Sequence, residues 1–152
     1  MRAMSEADFL SIQAVIDDWW ERPLSSLLQR WMCHYFSASS FVIEQDGKLV
    51  GFLIGLIDQT KAEAYIHMVG VAPELRRTGL AQQLYEKFFT LAISQQCRTV
   101  RAITAPVNQR SIAFHRRMGF ALELGDGEAE GVPVVLNHAG PEQARVCFLR
   151  QL

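Results

Sequence analysis

A basic, glycine-containing turn is the part of this sequence best suited to binding phosphates. An apolar segment over residues 65–71 runs through Pro73 into Arg76-Arg77-Thr78-Gly79-Leu80-Ala81, which opens an amphipathic segment. The first amide N–H groups of a helix lack acceptors and carry partial positive charge, so phosphates bind there readily. Gly79 lets a ligand approach the backbone closely because it has no Cβ. The spacing matches neither a Walker A loop nor the dinucleotide motif G-x-G-x-x-G.

A histidine and a tyrosine just before this turn are candidates for proton transfer. Alternate residues of a strand share a face, so Tyr65 and His67 project to one side, and Ile66 and Met68 to the other. Histidine exchanges protons near neutral pH, which makes His67 the best candidate for a general base. The alternative is a strand histidine satisfied by a neighbouring carbonyl. Glu63 shares this face but lies near the strand's edge, where a solvated charge is expected.

A second block lies downstream and reads Asn108-Gln-Arg-Ser-Ile-Ala-Phe-His-Arg-Arg-Met-Gly-Phe120, with an Asn that opens a helix and a Gly-Phe that ends it. The Arg-x-x-Gly-x-Ala turn after a strand and this second block together resemble the two motifs of the GNAT acetyltransferase superfamily, over residues 51–120. The resemblance implies that acetyl-CoA is the cosubstrate and that its acetyl group passes directly to a primary amine. The acceptor would be a small molecule or a peptide, with no covalent enzyme intermediate and no metal.

The resemblance also implies which residues hold acetyl-CoA. Main-chain groups of Val69 and Val71 are expected to bind the pantetheine arm where the family's sheet splays, and Gly70 suits a bulge at that point. Asn108 would also hydrogen-bond the pantetheine, and Ser111 is a weaker candidate. The pyrophosphate is expected to bind, mostly through N–H groups, at Arg76, Arg77, Thr78, Gly79, Leu80 and Ala81.

The implied catalytic residues are Tyr65, His67 and His115. In the family, polar residues at the first two positions act as the base or anchor a chain of water molecules. A tyrosine that protonates the leaving thiolate usually follows the Phe of the second motif, and here His115 takes its place. It is expected either to act as an imidazolium acid or to substitute for the tyrosine in packing. This departure keeps open a second hypothesis, a non-catalytic acyl-CoA-binding or sensor protein of the same fold. A nucleotide-binding module unrelated to CoA would leave the block at 108–120 unexplained.

The elements that must position these residues follow the order ααβββαβαββ. Helical spacing predicts helices at 5–18 and 23–35, and Asp46-Gly47 predicts the turn of a hairpin between 41–44 and 48–57. The later helices are predicted at 79–96 and 108–118, and the later strands at 62–71, 98–104, 120–124, 132–136 and 145–149. The acidic residues 125–131 are expected to form a mobile hairpin loop, and a first strand would be confined to residues 2–4. The implied fold is one α/β (α+β) GNAT-like domain over 1–152, with a central mixed, mostly antiparallel twisted sheet flanked by helices on both faces.

Composition narrows the classes of partner. A chain of 152 residues with a formal net charge of −1 lacks the overall basic character of nucleic-acid-binding proteins. Its longest apolar run, residues 49–57, is too short to span a bilayer. Cys33, Cys97 and Cys147 are odd in number and far apart, which predicts reduced thiols in a cytoplasmic protein. No signal peptide is evident. The resemblance leaves a homodimer open, because homodimers are frequent in the superfamily.

Overall fold

The strands of the chain form one seven-stranded sheet and a separate two-stranded hairpin in a computed structural model that describes residues 1–152. The helices are α1 (Asp8–Trp20), α2 (Arg30–Tyr35), α3 (Leu80–Ser94) and α4 (Gln109–Arg117). The strands are β1 (Arg2–Ala3), β2 (Phe41–Gln45), β3 (Lys48–Asp58), β4 (Glu63–Val71), β5 (Thr99–Thr104), β6 (Ala121–Leu122), β7 (Gly127–Ala129), β8 (Val132–Val134) and β9 (Val146–Gln151). No helix is both long and apolar enough to cross a membrane.

The large sheet has the strand order β1-β2-β3-β4-β5-β9-β6, and β7 pairs only with β8. Only β4 and β5 run parallel, so the predicted mixed, mostly antiparallel sheet is confirmed. Helices cover both of its faces. On one face a Cβ at Gly55 would overlap the ring of Phe88 in α3. On the other, Trp19 of α1 stacks on Phe52, with ring centroids 5.9 Å apart.

Two predicted elements differ from the structure. The second helix does not begin at Pro23, because the Asp17 carboxylate accepts the N–H groups of Leu24 and Ser25, each at 2.7 Å. Those bonds hold a single 3₁₀ turn at Ser25–Leu27, and the α-helix starts only at Arg30. The acidic hairpin predicted at 125–131 is present but is not a loop throughout, because it contains strand β7, which pairs with β8.

A β-bulge interrupts strand β4 at His67. Ile54 pairs with Met68 and Gly55 pairs with Ile66, so His67 is an extra residue without a partner in β3. The bulge predicted at Gly70 is therefore three residues earlier. Gly70 serves packing instead, since a Cβ there would lie 2.6 Å from Phe52.

The bulge also reverses the alternation of side chains along β4. Phe52 faces α1, so Ile54, two residues further along β3, and its partner Met68 face α1 as well. The prediction that Met68 and Ile66 share a face was wrong, because the extra residue at His67 shifts the pattern by one. Before the bulge the odd-numbered residues of β4 face α1. After it, the odd-numbered Val69 and Val71 face α3.

Candidate active site

A wedge opens in the sheet directly after the bulge. Strands β4 and β5 pair only from Glu63–Thr99 to Ile66–Ala102, and the rest of β5 pairs with β9 alone. In an antiparallel ladder, alternate residues turn their main-chain groups toward the partner strand. The amide of Ala72 donates to the carbonyl of Val50 at 2.9 Å, so Ala72 is turned toward β3. By alternation the main-chain groups of Val69 and Val71 face the open wedge, where an extended ligand could pair with them.

The turn after β4 presents a row of unpaired amide groups. Arg77 and Gly79 have φ angles of 70° and 93°, in the left-handed region, and no other residue would contact a Cβ at Gly79. The amides of residues 77–79 donate to no protein acceptor, and those of residues 80–82 begin α3, where no preceding turn can accept them. Thr78 Oγ1 closes the turn by donating to the Leu75 carbonyl at 2.6 Å. The turn therefore has the form of an anion site.

A groove of about 1530 Å³ joins this turn to the wedge and to α4. Six arginines and two glutamates line it, although the whole chain carries a formal net charge of −1. The basic character of the protein is thus concentrated where the unpaired amides lie. The arginines are Arg22, Arg76, Arg77, Arg110, Arg117 and Arg150.

Asn108 caps the helix that forms the far wall of the groove. Its Oδ1 accepts the amide of Ser111 at 3.2 Å, while its Nδ2 group donates to nothing in the protein. One end of the side chain is thus committed to the helix and the other is open to a ligand. Ser111 lies in the groove wall with its Oγ 3.2 Å from Nδ1 of His115.

His115 is packed inside the protein and is only 5% exposed. Its ring stacks on Phe148 with centroids 4.3 Å apart. Nδ1 lies 2.9 Å from the carbonyl of Ser111, which can only accept, so Nδ1 carries the proton. Nε2 is then left to accept the hydroxyl of Tyr85 at 3.0 Å.

The surroundings of His115 favour its neutral form. Burial lowers its pKa, and the hydrogen bond to the Ser111 carbonyl opposes that shift only in part. Burial also raises the pKa of the Tyr85 hydroxyl, which keeps that group a donor. The alternative expectation, that His115 replaces the usual tyrosine in packing, is therefore supported by its contacts with Phe148, Ser111 and Tyr85. The acid role stays a prediction.

His67 and Tyr65 share the α1 face beside the wedge. Their ring centroids are 6.4 Å apart, and Nε2 of His67 lies 3.4 Å from the carbonyl of Leu27, in the turn after α1. Because a carbonyl only accepts, this contact favours a proton on Nε2 and leaves the lone pair on Nδ1. Burial raises the pKa of Tyr65, so its phenol remains a hydrogen-bond donor.

Three charged residues beside Tyr65 form a network that sequence reasoning missed. Nε of Arg101 donates to Glu63 at 2.6 Å, and Nη1 of the same guanidinium donates to Glu123. The expectation that Glu63 is a solvated charge was therefore wrong. The only sequence signal was Arg101 itself, a charge inside an otherwise apolar strand. Its partners are 38 and 22 residues away and could be matched only once the sheet order was known.

Comparison with known proteins gave three kinds of match. The family model described as Acetyltransferase (GNAT) family matches residues 6–120. The L-2,4-diaminobutyric acid acetyltransferase of Shouchella clausii is 30% identical over 88 residues, which are 57% of this chain and 49% of that protein. The chain thus spans about half the length of the curated relatives it matches.

Solved structures share the fold over nearly the whole chain. Ard1 from Thermoplasma volcanium is 22% identical with a TM-score of 0.78, covering 99% of this chain and 95% of its own. A chain of the NatC complex bound to Gag peptide and CoA is 16% identical with a TM-score of 0.74, covering 99% and 96%.

Proposed function

The chain belongs to the acetyltransferase (GNAT) family, and we propose that it transfers the acetyl group of acetyl-CoA directly to a primary amine. The observation that carries this proposal is the arginine-lined groove that leads from an anion-binding turn to a wedge in the sheet. The acceptor is a small molecule or a peptide, since relatives of both kinds are found. Relatives are named for L-2,4-diaminobutyric acid, and one neighbouring structure is described with a peptide and CoA.

The arginines and open amides of this groove suit the phosphates of acetyl-CoA, and the exposed strand edge suits its extended arm. Its phosphates match the open amides of residues 77–82 and the adjacent Arg76 and Arg77. Its extended pantetheine arm carries amides that could pair with the main chain of Val69 and Val71, and the open Nδ2 of Asn108 could donate to it. The thioester would then lie at the wedge, within reach of the α1 face. Acetyl-CoA supplies the activated acyl group there.

His67 is the proposed base because the amine must first lose a proton. An alkylamine with a pKa near 10.4 is protonated at pH 7, and removing that proton costs about 4–5 kcal/mol. Nδ1 of His67 accepts it, directly or through a water held by Tyr65, while the Leu27 carbonyl holds the Nε2–H. The amine nitrogen then bonds to the acetyl carbon and loses its second proton to water, the carbon–sulfur bond breaks, and the electron pair leaves on the thiolate.

Protonation of the leaving thiolate has two candidate donors, His115 and solvent. We retain His115 as the predicted acid, but it would have to carry a proton on Nε2, where it now accepts the Tyr85 hydroxyl. A CoA thiol has an ordinary pKa near that of cysteine, about 8.5, so solvent can also supply this proton. Because His115 is buried and hydrogen-bonded within the protein, a non-catalytic acyl-CoA sensor is the second candidate function.

The test is CoA release from acetyl-CoA across a panel of polyamines, aminoglycosides, amino acids, and lysine or N-terminal peptides. Free CoA is read by chromatography, because Cys33, Cys97 and Cys147 are free thiols that could react with a thiol dye. Release that depends on one class of amine supports the transferase and identifies its acceptor class. Thermal stabilisation by acetyl-CoA without release from any amine would favour the sensor. The expected cytoplasmic location stays a prediction, and a homodimer stays open.

A further inference from the structure

Arg145 lies on the same α1 face of the sheet as Tyr65, and its positive charge opposes the rise in the pKa of the Tyr65 hydroxyl. The register pairs Tyr65 with Arg101 and Ile103 with Cys147, which places these residues on one face. Arg145 precedes Cys147 by two residues in extended backbone, so it shares that face. A bridge to Val135 fixes its main chain, with N–H to O distances of 2.8 and 3.1 Å.

No carboxylate neutralises this guanidinium. Its two recorded bonds go to the carbonyl of Ala144, at 2.9 Å, and to the amide oxygen of Gln143, at 3.2 Å. Arg101, the other arginine on this face, is held between two glutamates. Arg145 therefore keeps an unbalanced positive charge, whereas the charge of Arg101 is already matched.

The remaining groups near Arg145 offer it no negative charge. Sγ of Cys147 lies 3.9 Å from Nδ1 of His138, and burial raises the pKa of this thiol, so it stays uncharged at neutral pH. The Tyr65 phenol is neutral for the same reason. Glu123, which follows β6, is committed to Arg101.

We infer that the acceptor is an amine that also carries a carboxylate, and that Arg145 binds this carboxylate while the amine lies at His67. The inference rests on the proposed function and narrows its substrate to the amino-acid class. A guanidinium can hold a carboxylate through two parallel hydrogen bonds. Strand β5 lies between β4 and β9, so their backbones are at least roughly 10 Å apart. The gap is wider at His67, which lies beyond the last β4–β5 pair, Ile66–Ala102. A gap of that size favours an acceptor whose amine is far from its carboxylate, that is, a side-chain amine over an α-amine.

The test compares acceptors that differ only in the carboxylate. The pairs are L-2,4-diaminobutyrate with 1,3-diaminopropane, ornithine with putrescine, and lysine with cadaverine. For the native protein we expect kcat/KM to favour the carboxylated member of at least one pair by about 10- to 100-fold. In Arg145→Gln this preference is lost through a higher KM for the carboxylated amine, with kcat and the KM for acetyl-CoA within about threefold. Arg145→Lys keeps part of the preference. Arg98→Gln, at an unpaired and exposed arginine outside the groove, keeps all of it.

A second measurement separates this inference from the proposed function. Calorimetry with CoA present reports binding of L-2,4-diaminobutyrate, ornithine and lysine without any turnover. Binding that disappears in Arg145→Gln supports the inference even if no acetyl group is transferred. Equal kcat/KM values within every pair, or a preference unchanged in Arg145→Gln, would overturn it. Failure of all three amino acids to bind the native protein would do the same.

Discussion

Replacing His115 with phenylalanine separates its packing role from an acid role. The phenyl ring can keep the stack on Phe148, which has an interplanar angle of 6°. It cannot accept the hydroxyl of Tyr85, a side chain with 0% exposure. The variant therefore leaves a donor buried without a partner, and Tyr85→Phe conversely leaves Nε2 of His115 without one.

The magnitude follows from that unpaired group. A buried donor or acceptor that loses its partner costs about 1–3 kcal/mol, whereas removing both partners can be nearly neutral. We expect His115→Phe and Tyr85→Phe each to lower the free energy of unfolding by that amount. The double variant should lose less than the sum, with a coupling free energy of about 1 kcal/mol or more. For a chain of this size, each kcal/mol lowers Tm by roughly 2–4 °C.

Urea unfolding followed by tryptophan fluorescence measures the coupling, and CoA release measures kcat on the same four proteins. A packing role predicts kcat values that recover with stability in the double variant. An acid role predicts a kcat that stays low in every protein lacking His115, including the double variant. Additive stability losses would refute the argued bond between Tyr85 and His115.

The pH dependence adds an independent check. Because burial lowers the pKa of His115 below its ordinary 6.5, the unfolded chain binds a proton at a higher pH than the folded chain does. Stability linked to this residue is therefore complete above pH 6.5 and falls as the pH drops toward the folded-state pKa. His115→Phe should lack that part of the acid sensitivity. An identical pH profile in both proteins would contradict the neutral, buried assignment.

Two further predictions concern the base and the turn. His67→Gln should lower kcat about 10²- to 10⁴-fold with little change in acetyl-CoA affinity, and unchanged kcat would remove His67 as the base. Gly79→Ala forces a φ of 93° on a residue with a Cβ, so it should cost about 1 kcal/mol of stability and weaken acetyl-CoA binding. Gly47→Ala is the matched control, at a φ of 73° in a distant hairpin, and should cost stability alone. Equal acetyl-CoA affinity in both glycine variants would contradict the role of the turn.

Local patterns predicted most of the fold. The stripe of Leu80, Leu84 and Phe88 gives α3 because its spacing is that of one helix face, and all three are buried. The Asp46-Gly47 turn joins β2 to β3 because both residues adopt positive φ, at 52° and 73°. Each signal lies within a short stretch of chain, in which residues close in sequence are also close in space.

The missed features depend on contacts between distant residues. The helix predicted from Pro23 fails because Asp17, one element earlier, binds the amides that would begin it. The bulge at His67 is visible only against the register of β3, since an extra residue looks like any other in a single strand. The sequence does not distinguish Arg145 from Arg101. Only the structure shows that Arg101 is neutralised by two glutamates, whereas Arg145 is paired with none.

The bulge at His67 also bears on the kinetic order of the reaction. On one side of it β4 turns Tyr65 toward the α1 face, and on the other it turns Val69 and Val71 toward the α3 face and the arginine-lined groove. Tyr65 and His67 do not line this groove, so under the proposed function the amine and acetyl-CoA would reach the wedge by separate paths and neither would block the other. We therefore expect a ternary complex, with initial-rate lines that intersect in double-reciprocal plots. Parallel lines would mean that one product leaves before the second substrate binds, and would contradict the expected ternary complex.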